Sequence, residues 1–143
     1  MAAEGAGPLF IGAEIYRHSS YGPWHPLRIP RVSTVTDLSR AMGWLPPERF
    51  VQSPRAKPAA LHAWHTPRYV RALMAAERAQ AVSDEMRERH ALGTTANPVY
   101  TEMFRRPATA VGASILAGEP LAGAGIAYNP APGTHYGLPD RAN

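Results

Sequence analysis

Apolar positions fall into short blocks whose spacing predicts the elements one after another. Leu9, Phe10 and Ile11 stand together ahead of Ile15, apolar on both faces, and predict a strand over about 9–16 covered by helices. A polar, aromatic loop over 18–30 follows, holding Tyr21, Trp24 and the His25-Pro26 pair. Val32, Val35, Leu38 and Met42 recur at helical spacing, with Pro30 suited to the first turn and Gly43 to the stop. Residues 48–52 read as a second, short strand that a proline-rich loop ends. The strongest helical signal comes next. Thr66 can cap with its hydroxyl, Pro67 can take the first helical position, and Val70, Leu73 and Met74 share a face; the polar remainder runs to about Arg89. After a loop over 92–100, Met103, Phe104, Val111 and Ile115 mark the inward side of a helix over 101–117. Residues 123–128 read as a buried strand and 129–143 as loop. Trp24, Trp44 and Trp64 are expected in the core or in loop packing. The order strand, helix, strand, helix, helix, strand predicts an α/β fold with a parallel sheet.

Composition narrows this further. A chain of 143 residues has room for one domain at most. With 45% hydrophobic and 18% charged residues it belongs with folded chains. No apolar run approaches the roughly 18 residues of a membrane span, so no membrane partner is expected. The first eight residues carry Glu4 and no basic cluster, which predicts a flexible start, no secretory signal and a cytoplasmic location. The absence of cysteine excludes disulfides, thiolate metal sites and cysteine nucleophiles. A net charge of +4 is scattered, and the richest stretch, 77–89, mixes Glu77, Asp84, Glu85 and Glu88 with Arg78, Arg87 and Arg89. Such mixing reads as a solvated helix face, and no nucleic-acid partner is expected. Three strands are few for a parallel sheet, so the domain reads as incomplete, with a bare edge open to self-association.

In open parallel sheets, chemistry sits in loops beyond the carboxyl ends of the strands. The last predicted strand delivers such a loop, Asn129-Pro130-Ala131-Pro132-Gly133-Thr134-His135-Tyr136-Gly137-Leu138-Pro139-Asp140-Arg141-Ala142-Asn143. Its Asp140 and Arg141 read as a pair that shapes the loop. His62 and His65 lie three apart, but no third ligand converges on them, so capping and packing explain them better than a metal. Asp37 reads as a solvated charge.

That closing segment resembles the active-site loop of the histone deacetylase superfamily, whose pattern is N-P-x-G-G-x-H-H-x-x-P-D-R-A and which includes acetoin-utilisation-type deacetylases and acetylpolyamine amidohydrolases. Upstream, His25-Pro26 with Arg28 and Arg31 resembles the family's H-P-x-x-x-x-R segment. His65-Thr66-Pro67-Arg68-Tyr69-Val70 resembles its H-S/T-P-x-Y-V helix start, and Gly93-Thr94-Thr95-Ala96-Asn97-Pro98-Val99 its G-T-x-D-N-P-V loop. The resemblance implies an arginase/deacetylase-like three-layer α/β fold, of which 1–143 would be the N-terminal part of a single domain. It implies zinc-dependent hydrolysis of an acetyl amide, of acetyl-lysine or of an acetylated polyamine. The family holds zinc with one His and two Asp on loops after later strands, so no metal ligand is expected in this chain and none is expected to bind to it alone. Arg31 would line an internal channel or stand as a helix-surface charge, and Gly133 would shape the substrate loop. His135 is the candidate for proton transfer. Tyr136 occupies the position of the family's second His, where a phenol of pKa about 10, ionised to about one part in a thousand at neutral pH, is a poor base. Ala96 stands where the family has a substrate-anchoring Asp. The intact protein would then be a deacetylase and this chain inactive alone. The alternative is a non-catalytic fragment or pseudoenzyme with a binding role.

Overall fold

In the computed structural model, which describes residues 7–121, 125–133 and 137–142, the first apolar run becomes the middle strand of the sheet. Strand β1 (Leu9–Gly12) lies between β2 (Phe50–Gln52) and β3 (Ala127–Tyr128), parallel to both. Phe10 pairs with Phe50 on one side and Tyr128 on the other. Its ring lies 6.1 Å from the Phe50 ring and 5.3 Å, edge on, from the Tyr128 ring. Phe10 and Ile11 are buried, as a strand covered on both faces requires.

β1 is shorter than the apolar run suggests. The chain leaves the sheet at Ala13 and closes a helical turn, α1 (Ile15–His18), with Ser19 N donating to Ile15 O at 2.9 Å. A short apolar run cannot by itself separate strand from helical turn. Arg17 settles the matter: it bonds Glu14 at 2.9 Å and grips Asp37 with two nitrogens at 2.7 and 2.8 Å. Asp37 is therefore ion-paired, and Arg17 holds its carboxyl below the usual carboxylate range.

Helix α2 (Arg31–Ala41) forms where its spacing predicts, but it is rotated. Ser33 and Thr36 are buried, while Val35, Leu38 and Met42 are 40, 55 and 53% exposed. The small hydroxyl face can go inside because each hydroxyl donates to its own helix turn, Ser33 to Pro30 O at 3.1 Å and Thr36 to Val32 O at 2.8 Å.

After β2 come a single turn, α3 (Pro58–Leu61), and then α4 (Pro67–Ala79) and α5 (Asp84–His90) in place of one helix to Arg89. Thr66 and Pro67 start α4 as predicted, the hydroxyl accepting from Tyr69 N at 3.2 Å. Gln80 breaks the run in a left-handed conformation (φ 50°), and Ser83 caps α5 by accepting from Met86 N at 3.2 Å. The Ser83-Asp84-Glu85 sequence is a helix-start signature that the charge pattern obscures. Glu77, expected on a solvated face, is largely buried. Its Oε2 accepts from Phe104 N and Arg105 N at 2.8 and 2.9 Å, and Oε1 binds Arg105 Nε at 2.8 Å. It thereby satisfies the free amides where α6 (Arg105–Leu121) begins, four residues later than the pattern suggests.

Met103 and Phe104 are buried as predicted, but Val111 and Ile115 are partly exposed. The inward face of α6 is made of small residues, Ala108, Thr109, Gly112 and Ala113. The segment after β2 presses on it, Ser53 Oγ donating to Thr109 O at 2.7 Å and Ala56 N to Ala108 O at 2.9 Å. Only small side chains permit that approach. Two apolar clusters complete the core and share Leu73: Ala56, Leu61, Val70, Phe104 and Ala108 in one, Ala72, Ala76, Leu92 and Met103 in the other.

Trp24 and Trp44 depart from expectation by standing exposed, while Trp64, also exposed, meets the loop-packing alternative by bonding a carbonyl of the closing loop. The predicted strand over 123–128 narrows to β3, and residues 123 and 124 lie outside the described residues, as do 1–6 of the expected flexible start. Ile126 and Tyr128 are exposed, and among the described residues β2 and β3 each pair on one side only. No described helix is long and apolar enough to cross a membrane.

A Cβ at Gly112 would collide with the Pro54 carbonyl oxygen and sit 2.9 Å from Ala56 N, whereas one at Gly118 meets open space. Urea denaturation is therefore expected to show Gly112→Ala destabilised by about 2 kcal/mol or more. Gly118→Ala should be neutral or stabilised by up to about 1 kcal/mol, because alanine favours a helix interior. Equal midpoints for the two variants would contradict this packing of α6.

Candidate functional site

Parallel strands end on one edge of the sheet. From the central β1 the chain passes to β2 on one side and to β3 on the other, so the connections diverge between β1 and β3 and leave a crevice there. The loops after these two strands bound a cleft of about 410 Å³. Tyr21, Leu27, Ile29, Arg31 and Val32 line it from the first loop and the start of α2, and residues 130–133 from the second. Arg106, Pro107, Ala110, Val111 and Ser114 of α6 line it as well. Its charged lining is cationic. Arg31 is exposed at the start of α2. The Arg106 guanidinium lies 4.6 Å over the Tyr21 ring, and its Nη1 is buried with no hydrogen-bond partner among the described residues. Tyr100, beside Tyr21 and Arg106, has its hydroxyl pushed well above the usual range, chiefly by burial, and remains protonated. Gly133 is exposed on the cleft wall; His135 and Tyr136, with Thr134, lie outside the described residues.

His25 joins two of the motif segments. Its Nδ1 accepts from Leu27 N at 3.1 Å, which leaves Nε2–H to face Ala96 O at 3.4 Å. Tyr21 stacks on the ring with centroids 4.7 Å apart. The loop over 18–30 is thus tied to the Gly93–Val99 motif through backbone, and Ala96 supplies a carbonyl where the family pattern has a carboxylate.

The closing loop is pinned at both ends of its described length. At its start Asn129 Nδ2 donates to Ala110 O and Ser114 Oγ, each at 3.1 Å, and Oδ1 accepts from Ala131 N at 3.0 Å. At its far end four successive carbonyls each meet a donor. Trp64 Nε1 donates to Gly137 O at 2.8 Å and His65 Nδ1 to Leu138 O at 3.0 Å. Thr66 N donates to Pro139 O at 2.8 Å and His90 Nδ1 to Asp140 O at 2.5 Å. The Thr66 hydroxyl donates to Asp140 Oδ1, Arg89 Nε lies 3.2 Å from Oδ2, and Ala142 N returns to His90 O at 2.9 Å. Thr66 hydrogen bonding, with Arg89 and His90 nearby, holds the Asp140 carboxyl below the usual range. Asp140 therefore fastens the loop to two helices, and Arg141 beside it is exposed.

His65 serves this loop, while His62 is exposed at the end of α3. Among the described residues no three of His, Asp and Glu gather to hold a metal. Sequence reasoning missed Trp64, His90 and Glu77 as partners. His65-Thr66 was the available signal for the near side of the contact; for His90, at the end of a polar helix, no signal exists.

The class is then an open parallel α/β chain whose loops meet over a crevice at the reversal of strand order. The family model for the histone deacetylase domain matches residues 25–143, and the chain belongs to the histone deacetylase family. Two solved structures are similar to it: an HDAC homologue complexed with SAHA, and an HDAC homologue from Aquifex aeolicus. Each is 35% identical, with a TM-score of 0.91 over 96% of this chain. The chain spans 37% of the length of each, and the expected deacetylase-like α/β fold is borne out for that portion. A search of curated proteins finds no match.

Because the folded Asp140 carboxyl titrates below its ordinary value of about 3.9, its contribution to stability is present above that pH and lost as pH falls through the depressed value. Thr66→Val removes the main cause. The carboxyl ¹³C titration of Asp140 is expected to move up toward the ordinary value in that variant. An unchanged midpoint would show that the hydroxyl does not hold the carboxylate.

Proposed function

We propose that the intact protein is a zinc-dependent amide hydrolase that removes the acetyl group from acetyl-lysine or an acetylated polyamine. Residues 1–143 supply the N-terminal part of its single domain. The observation that carries this reading is the family match over 25–143, which includes a closing loop anchored beside the crevice of the sheet. In this reading zinc is held outside the chain, and the chain alone is inactive. His135 takes the proton from the attacking water at its imidazole and returns it to the leaving amine; its ordinary pKa of roughly 6.5 suits both transfers. Tyr136 sits at the position of the second family His and leaves that work to His135. Gly133 gives the substrate close access to backbone, Arg31 faces the cleft, and Asp140 with Arg141 shapes the loop. Ala96 offers no side-chain acceptor for substrate backbone, which favours a small acetylated amine over a peptide. The protein acts in the cytoplasm, and this chain self-associates through the open sheet edge.

The second reading, a pseudoenzyme with a binding role, is favoured by Tyr136 and Ala96 together. Assays of the intact protein with zinc, on an acetyl-lysine peptide and on an acetylated polyamine, separate the two. The hydrolase reading predicts turnover that falls at least about a hundredfold in His135→Ala and rises in Tyr136→His. Absence of turnover in both the natural protein and Tyr136→His would establish the second reading.

A further inference from the structure

Thr66 starts α4 and His90 ends α5, yet both close on one short stretch of loop backbone. Residues 137–142 belong to no helix or strand, so their polar backbone groups must find partners elsewhere. The carbonyls from Gly137 to Asp140 find them in an indole, two imidazoles and one helix-start amide. His90 is 3% exposed, and an imidazole so buried needs a partner, which the Asp140 carbonyl provides. The same Asp140 uses its carboxylate to take the Thr66 hydroxyl, so one residue is held through both backbone and side chain by two different helices.

We infer that Thr66, His90 and Asp140 form a latch whose task is to position the loop over the cleft, with Asp140 as the positioning residue. None of the three is placed in contact with substrate. Their effect reaches chemistry through chain connectivity, since the latch fixes the downstream anchor of the loop that contains His135; in that respect the inference rests on the hydrolase reading. The specific hydrogen-bond geometry carries the load. Asn at position 140 retains an oxygen for the Thr66 hydroxyl, while Ala retains none.

The test uses the intact protein and three reporters within residues 1–143: the Thr66 amide, the Ala142 amide and the Trp64 indole N–H, each of which donates across the contact. In Asp140→Ala their hydrogen exchange is expected to accelerate at least tenfold, with amides of β1 and α6 within twofold of the natural chain. Asp140→Asn should stay within about threefold at all three reporters. Unchanged exchange in Asp140→Ala, or acceleration spread evenly through β1 and α6, would overturn the latch. Should Asp140→Ala fail to fold, Thr66→Val against Thr66→Ser decides by the same reporters, Ser keeping the hydroxyl. In the intact protein, Asp140→Ala is expected to lower kcat at least tenfold with KM within twofold, and Asp140→Asn to restore it. A normal kcat with loosened reporters would overturn the positioning role. Exchange involves no acetyl amide, so loosened reporters in a protein that hydrolyses neither substrate would reject the hydrolase reading and leave the latch standing.

Discussion

A loop without secondary structure can hold one conformation only if its backbone polar groups are answered by fixed partners. Residues 137–142 meet that demand against the starts and ends of helices, surfaces rigid enough to serve as a template. Thr66 is the pivot. Its oxygen accepts from Tyr69 N to begin α4 while its hydroxyl donates to Asp140, so the cap that starts the helix also holds the loop. The upstream anchor works by the same logic through Asn129 and the carbonyl of Ala110. Of the described part of the loop, residues 130–133 line the crevice beside β1.

The wall that α6 gives the cleft depends on two less visible constraints. Glu77 reaches across from α4 to satisfy the first amides of α6, fixing where that helix begins and hence where Arg106 stands. The small-residue face of α6 lets the segment after β2 close to hydrogen-bonding distance.

The order of the three strands and of α2, α4 and α6 was legible because each apolar block is short and bounded by Pro or Gly, and the closing loop was legible because its motif residues lie together. What could not be read was orientation. Val35, Leu38 and Met42 define a helix, but Ser33 and Thr36 face inward because their hydroxyls are satisfied within the helix. The same blindness hid Glu77 and His90. A charge in a mixed run looks solvated until a helix start is brought to it, and a histidine at a helix end looks idle until a loop carbonyl arrives. Long-range contacts of this kind have no local spacing to betray them.

The most direct measurement is a crystal structure of the intact protein bound to a non-hydrolysable acetylated-amine analogue. The account predicts the His135 imidazole in the crevice, about 3 Å from the amide carbonyl or from the water poised to attack it. An imidazole packed among aliphatic side chains, turned away from the bound amide, would contradict it.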